Sequence, residues 1–335
     1  MKYVFILIFF THYYCLSQVG GENIYQFLNI PTSARQVALG GEVNSLTNDI
    51  NQPLWNPSVL NQDLEGKFSL NYANYLADVN IGSLSYATSF SKRLGTIYGN
   101  ISYVNYGSFF GADKFGNETG AFSANDISIT IGYCYKIPKS NFSIGTNVKY
   151  ITSNIQNFSS YGIATDVAIL YNNPNYPFAA TLVVRNFGVQ LSSYNGAKEN
   201  LPINIVLGGS YKLAHVPLQW YGTIDNLQEW ELAVPNPSAQ TTDLEGNVTQ
   251  ENITAFDNIF RRLVIGAELF PEKIINLRIG YNFRRASELQ LQNARTFSGI
   301  SFGFGIQMKK IKFNYAYSNY HSATNNSTFS LEMNL

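Results

Sequence analysis

The chain has 335 residues and no formal net charge, with 13% charged, 45% hydrophobic and 15% aromatic residues. A typical soluble domain carries roughly 25% charged residues, so this composition argues against one. The mean hydropathy of -0.09 argues equally against a helical membrane protein, and the lack of a positive charge excess argues against a nucleic-acid partner. A chain in which apolar and polar residues are both abundant and cancel in the average is typical of a transmembrane β-barrel.

Residues 1–17 are predicted to be a secretory signal peptide. Lys2 supplies a positive start, Val4–Phe10 is an unbroken apolar run, and Cys15 and Ser17 are small residues at positions −3 and −1 of the expected cut. The alternative is a single membrane anchor. The apolar run is far shorter than the ~20 residues that a spanning helix needs, which favours the signal peptide.

Residues 18–65 show no strand-like alternation and are predicted to precede the barrel as a plug or a periplasmic segment. A short helix is expected to begin near Thr32 and to end at Gly40-Gly41. Trp55-Asn56-Pro57 is a turn or capping signal. The small residues on the inward face of the later strands leave room in the lumen, which favours the plug. In that case we expect Arg35 to meet a luminal acid and Trp55 to pack on the wall, with Asn56 and Pro57 beside it.

Residues 66–335 are predicted to form an outer-membrane β-barrel, because two-residue alternation dominates this part of the chain. In the stretch 275–284 every odd-numbered residue is aliphatic or aromatic, and every even-numbered residue is polar, charged or glycine. Fourteen such segments can be counted, and most have the length that a tilted membrane strand needs rather than the ~5–6 residues usual in soluble proteins. They are 66–75, 81–91, 95–106, 123–135, 142–151, 160–171, 178–189, 202–213, 216–226, 261–271, 275–284, 297–307, 310–320 and 325–335. The predicted fold class is therefore all-β, an antiparallel barrel of about fourteen strands with an N-terminal plug segment.

Short and long connections alternate between the predicted strands, as they do when one rim faces the periplasm and the other faces the outside. Gly107–Phe122, Thr152–Ser159 and Leu227–Arg261 are among the predicted long connections, and the short connection Leu76–Asn80 is the exception on that side.

The alternate residues of each strand, called here its two parities, lie on opposite faces of the sheet. Their composition also predicts which face meets lipid. Polar side chains are costly in the hydrocarbon layer, so the parity that holds Ile279 should face lipid. The parity that holds Arg278, Lys312, Lys212 and Asp166 should face the lumen.

No catalytic constellation is present in the sequence, and we expect neither an enzyme nor a cofactor. His12 lies in the signal peptide, while His215 and His321 fall in separate connections, so a nucleophile would lack an adjacent base. Cys134 is the one cysteine that remains after cleavage, which excludes an intramolecular disulfide and a thiolate metal site.

An acidic cluster in or beside the longest connection permits two interpretations. Asp225, Glu229, Glu231 and Asp257 could form a cation site, but their spacing lacks the tight pattern of a calcium loop. A solvated loop face is the favoured interpretation.

A series of short motifs resembles PorQ-type proteins of the type IX secretion system, in collinear order along nearly the whole mature chain. The motifs are Gly20–Pro31, Ser33–Arg35, Ala38–Gly41, Asn56-Pro57, Asn71-Tyr72, Asn74-Tyr75, Ala77-Asp78, Asp113–Asn117, Tyr161–Asp166, Arg185–Gly188 and Lys212–Pro217. The region Glu231–Ile259 contains no such motif. The resemblance implies membership of the fatty-acid-channel class of fourteen-stranded barrels in the bacterial outer membrane.

The same resemblance implies a function and partners. The chain would be a scaffold of the attachment complex, with a PorU-like sortase, a PorV-like partner barrel and a PorZ-like accessory surface protein, in contact with outer-membrane lipids. The sortase would carry the bond-making chemistry that releases secreted cargo and anchors it at the surface. The alternative is a diffusion channel for hydrophobic compounds, which should show an apolar pocket at the outer mouth and a gap in the wall. A scaffold should instead be plugged and bound to partners.

Overall fold

The computed structural model describes residues 23–76, 78–91, 95–173, 175–233, 235, 241–242, 248–249, 252–289, 297–321 and 324–335. The predicted signal peptide lies outside the described residues.

Fourteen antiparallel strands close into a barrel, as the alternation predicts. They are β1 (Lys67–Asn74), β2 (Asn80–Ser91), β3 (Gly95–Ala112), β4 (Glu118–Lys136), β5 (Phe142–Ile155), β6 (Phe158–Asn172), β7 (Phe178–Ser192), β8 (Asn204–Lys212), β9 (Leu218–Ile224), β12 (Leu263–Leu269), β13 (Ile275–Asn282), β14 (Ile300–Met308), β15 (Ile311–His321) and β16 (Thr324–Asn334). Each barrel strand pairs with the barrel strands before and after it in the chain, and β1 pairs with β16 to close the ring. A separate two-stranded hairpin, β10 (Thr241–Thr242) and β11 (Val248–Thr249), lies between β9 and β12.

The helical elements are short. Helix α1 spans Ala34–Ala38, α2 spans Ala255–Phe260 and α3 spans Phe283–Glu288. Among the described residues, no helix combines the length and the apolar character that a membrane crossing requires.

The wall has the predicted orientation. In β13 buried and exposed residues alternate without exception: Ile279 is 57% exposed, whereas Arg278 is buried inside the barrel. Asp166 is likewise buried on the inner side of β6. The outward face is a belt of exposed Ile, Leu, Val, Phe and Tyr side chains, the surface that a bilayer covers.

Replacing Ile279 with arginine should therefore reduce assembly of the barrel. A charge that faces lipid near the midplane of the bilayer costs about 2–4 kcal/mol, whereas Ile279→Leu keeps an apolar side chain there. The measurement is the fraction of protein that runs as a compact, heat-modifiable band on a gel of unheated membranes. An Ile279→Arg barrel that assembles as well as Ile279→Leu would show that this face does not meet lipid.

Two predicted long connections are wrong. The prediction placed Gly107–Phe122 and Thr152–Ser159 outside the sheet, but β3 and β4 are joined by residues 113–117 and β5 and β6 by residues 156–157. The pairing of β3 with β4 shifts register between Asn105 and Ser108, and this bulge interrupts the alternation that marks a strand in the sequence.

The barrel wall is uneven in height. Strands β3 to β7 have 14–19 residues, whereas β8, β9, β12, β13 and β14 have 7–9. The prediction made β9 and β12 longer, as 216–226 and 261–271, because the flanking residues continue the apolar pattern.

The chain before β1 lies against the inner face of the strands. Residues Ile24–Leu64, here called the inner segment, contain α1 and four short 3-10 turns. The predicted short helix is present: the Ser33 hydroxyl caps α1 by accepting a hydrogen bond from the backbone N–H of Gln36, and Gly40 and Gly41 follow it with positive φ. Between residues 31 and 60, all side chains except those at 47, 48 and 54 are buried.

Inward-facing glycines make room for the inner segment. A Cβ atom on Gly280 of β13 would overlap the backbone of Leu39 and Gly40, and one on Gly145 of β5 would overlap the backbone of Pro57. A side chain at either position would push the segment away from the wall. The small residues of the inward parity thus have a packing reason, which is the close approach of a second backbone.

Candidate functional site

Arg35 of helix α1 contacts a luminal acid. Its guanidinium lies 2.6 Å from a carboxylate oxygen of Glu268 on β12 and 3.6 Å from Asp49. Glu268 also accepts a 2.8 Å hydrogen bond from Arg278. Burial alone would lower the pKa of Arg35, but Glu268, Tyr221 and Asp49 together more than offset this and raise the pKa above its ordinary value. Arg35 therefore stays charged and joins the inner segment to the wall.

Trp55 packs against a second luminal arginine. The guanidinium of Arg185 on β7 stacks over the indole ring at 3.7 Å, within the range of a cation–π contact. Arg185 also donates a 2.9 Å hydrogen bond to the backbone carbonyl of Leu28. One wall residue thus holds two distant points of the inner segment.

Asn56 and Pro57 form the turn predicted beside Trp55. The Asn56 side chain donates to the carbonyl of Asn44 at 2.6 Å and accepts from the backbone N–H of Ser58. Asn56 therefore ties two stretches of the inner segment together, while Pro57 begins a 3-10 turn that packs over Gly145.

A bulge in β7 explains the motif Arg185–Gly188. The register against β6 shifts at Asp166, and Asn186 adopts a left-handed conformation with φ +57°, so that Arg185 and Asn186 are both buried inside. Asp166 accepts from the backbone N–H of Asn186 and forms a 2.8 Å ion pair with Lys149. The bulge therefore directs two consecutive polar side chains into the lumen, whereas regular alternation would direct only one of them there.

Above the bulge the wall is not fully paired. Strand β8 pairs with β7 only up to Arg185, whereas β7 continues to Ser192 in contact with β6. Within the described part of the chain, residues 187–192 have no strand partner on the β8 side. Phe187 and Leu191 of this stretch are exposed on the outer face.

An apolar cavity of about 480 Å³ opens at the rim that carries the long connections. Its apolar lining comes from the inner segment (Tyr25, Phe27), from β3 and β4 (Phe109, Phe122) and from β5 (Ile155). The bulge in β3 changes the parity of that strand, so that Phe109 turns toward the cavity and stacks on Phe122 at 5.4 Å between ring centroids. The next residue, Phe110, is 81% exposed.

A small polar network borders this cavity. Asp126 of β4 accepts a 2.6 Å hydrogen bond from the Tyr106 hydroxyl and another from Ser153. The hydroxyl of Tyr194, in the connection after β7, donates to Ser153. An apolar chamber with few convergent polar groups is the usual form of a site for a small, mostly apolar ligand.

Sequence reasoning missed the cavity residues. Phe109 and Tyr194 fall in stretches that the alternation assigns to connections, and Asp126 looks like any other inward polar residue. The break in alternation after Tyr106 is the signal that could have revealed the bulge.

The acidic cluster is not assembled into one site. Asp225 is buried and pairs with Arg284 at 2.8 Å, whereas Asp257 belongs to a capping box with Thr254 at the start of α2. In the part of the chain that the structure describes, no group of three or more His, Cys, Asp or Glu side chains is arranged to hold a metal ion.

Comparison with known proteins shows the fold. No family model and no curated protein matches the chain. Among solved structures, the toluene transporter TbuX of Ralstonia pickettii matches with a TM-score of 0.55 and 11% identity, over 92% of this chain and 100% of that one. A variant of the monoaromatic hydrocarbon channel TodX matches at 0.54 and 13%, over 90% and 98%. The monoaromatic hydrocarbon channel CymD matches at 0.51 and 11%, over 91% and 97%.

Proposed function

We propose that this chain is a bacterial outer-membrane channel that admits small hydrophobic molecules through the apolar cavity at its outer mouth. The cavity is the observation that carries the proposal, because its lining is mostly aromatic and aliphatic. The structural neighbours named as toluene and monoaromatic hydrocarbon channels support the same ligand class.

The path of such a molecule would not run straight through the lumen. The inner segment fills the space below the cavity with buried side chains and charged contacts. Transfer of an apolar solute into this space would be unfavourable, because it would disrupt buried polar contacts. The partly unpaired edge of β7 offers a sideways route, since Tyr194 and Glu199 of the adjoining β7–β8 connection also line the cavity.

Replacing Phe109 with serine should weaken binding of an apolar aromatic ligand by about tenfold. Phe109 is 42% exposed in the cavity, and covering about 55 Å² of apolar surface at about 25 cal/mol per Å² contributes about 1.4 kcal/mol. The measurement is ¹⁹F NMR of fluorotoluene with the purified barrel in detergent, where bound and micelle-dissolved ligand are distinguished by saturation. Phe110→Ser is the matched control, since Phe110 is the adjacent aromatic and points outward. No saturable binding by the unaltered barrel, or equal losses in both variants, would refute the proposal.

A second function is proposed on the PorQ-type motifs, namely the scaffold of a type IX attachment complex that docks a sortase, a partner barrel and an accessory protein. Several large apolar side chains at the long-connection rim favour a protein partner, including Phe115 and Trp230, the latter 80% exposed. Affinity purification of the tagged full-length chain from native membranes tests this function. Recovery of the barrel without any sortase-like protein, together with normal surface attachment of cargo in its absence, would exclude it.

A further inference from the structure

The charged residues of the barrel are unevenly divided between its rims. Eight described lysines lie at the rim that carries the short turns, which is the periplasmic rim of outer-membrane barrels. Five of them surround one cavity: Lys67, Lys273, Lys309, Lys310 and Lys312. The other three are Lys136, Lys139 and Lys212. At the opposite rim the described acidic residues outnumber the basic ones. The periplasmic rim is therefore basic, although the charges of the whole chain sum to zero.

The cavity among the five lysines measures about 260 Å³ and lies where β1 and β16 close the barrel. Its acidic lining residues are Glu272 and Glu332. Glu272 already forms a 2.5 Å ion pair with Lys212. Glu332 accepts a 2.9 Å hydrogen bond from Asn314 and lies 3.8 Å from Lys312.

The other four lysines around the cavity differ from Lys312. Within the described residues, Lys67, Lys273, Lys309 and Lys310 form no ion pair with an acidic side chain. Four ammonium groups around one opening, with both local carboxylates already engaged, create a positive potential that a mobile anion would neutralise.

The same lysines adjoin the lipid-facing belt. Lys309 and Lys310 form the turn between Met308, 56% exposed, and Ile311, 39% exposed, on the outer surface. Lys273 is followed by the exposed pair Ile274 and Ile275. The ammonium groups thus lie at the boundary between the hydrocarbon layer and water, at the level of the phosphates of the inner leaflet.

We propose that this basic cavity binds the phosphate group of an anionic phospholipid of the periplasmic leaflet. The lysines neutralise the phosphate, while the acyl chains lie along the apolar belt beside Met308 and Ile275. Lysine supplies point charges that suit a phosphate without demanding a fixed geometry. Continuity with the lipid belt favours a membrane lipid over a soluble anion.

The test compares lipid retention by the full-length barrel and its variants in nanodiscs of phosphatidylglycerol and phosphatidylethanolamine, read by native mass spectrometry after transfer to mild detergent. The unaltered barrel should retain phosphatidylglycerol in preference. Each surface lysine contributes about fivefold to affinity for an anionic lipid surface, so Lys309→Gln/Lys310→Gln should reduce this preference by about 25-fold. Lys114→Gln, at the opposite rim, is the control and should change nothing.

Three results would overturn the proposal. The first is no preference for phosphatidylglycerol in the unaltered barrel, and the second is an undiminished preference in the double variant. The third is displacement of the lipid by millimolar inorganic phosphate as effectively as by phosphatidylglycerol vesicles, which would identify a site for free phosphate. Both lysines are exposed, so the double variant should fold, and the heat-modifiable gel band checks this independently.

Discussion

Replacing Glu268 with alanine should lower the free energy of unfolding of the barrel by about 3–5 kcal/mol, the usual cost of removing one partner from a buried ion pair. Glu268 is fully buried and receives hydrogen bonds from Arg35, Arg278 and Tyr221. Its loss leaves two arginines inside the barrel without their shared counter-charge. The measurement is the urea midpoint of unfolding in detergent micelles, followed by the loss of the heat-modifiable band.

Glu272→Ala is the matched control for this substitution. Glu272 lies just beyond the end of the same strand, and its ion pair with Lys212 is largely exposed, with the Glu272 side chain 73% accessible. An exposed pair contributes only about 0–1 kcal/mol, so the midpoint should barely move. Equal shifts for Glu268→Ala and Glu272→Ala would show that the charges around Arg35 are hydrated in the folded protein.

The strands were predictable because a membrane barrel imposes one rule on every residue of the wall. Ile279 must avoid water and Arg278 must avoid lipid, and this alternation is visible in the sequence whatever the neighbouring strands are. The rule fails at bulges, where one extra residue changes the parity. The extensions of β3 and β4 were missed for this reason, and so was the inward turn of Phe109.

For the inner segment, the sequence predicted the type of contact that a residue makes but not the residue that it contacts. The sequence indicates that Arg35 needs an acid, since a buried guanidinium must be paired, but Glu268 lies 233 residues away and nothing local identifies it. The partner of Trp55 was equally hidden, because Arg185 lies on the distant strand β7 and nothing near Trp55 in the sequence identifies it. Pairing across a lumen depends on strand registers that a single sequence does not encode visibly.

The contact between Gly280 and the inner segment allows a test of whether this segment closes the lumen. The backbone of Leu39 and Gly40 occupies the space where a Cβ atom of residue 280 would lie. If the inner segment is what blocks the lumen, forcing it off the wall at this point should open an aqueous path. If the barrel is closed elsewhere, displacing the segment should leave the conductance unchanged.

Gly280→Leu should therefore raise the single-channel conductance of the purified barrel in a planar bilayer above the small value expected for the unaltered protein. The backbone of Leu39 cannot yield as a flexible side chain would, so the leucine can be accommodated only if the segment shifts. Gly222→Leu is the control, because a Cβ atom on Gly222 meets nothing within 4 Å.

Deletion of residues 24–60 gives the conductance of the emptied barrel and covers the case in which Gly280→Leu fails to assemble. A large conductance in the unaltered barrel, or none after the deletion, would contradict a lumen closed by the inner segment. The first outcome would also remove the reason for a sideways route, since solutes could then pass straight through.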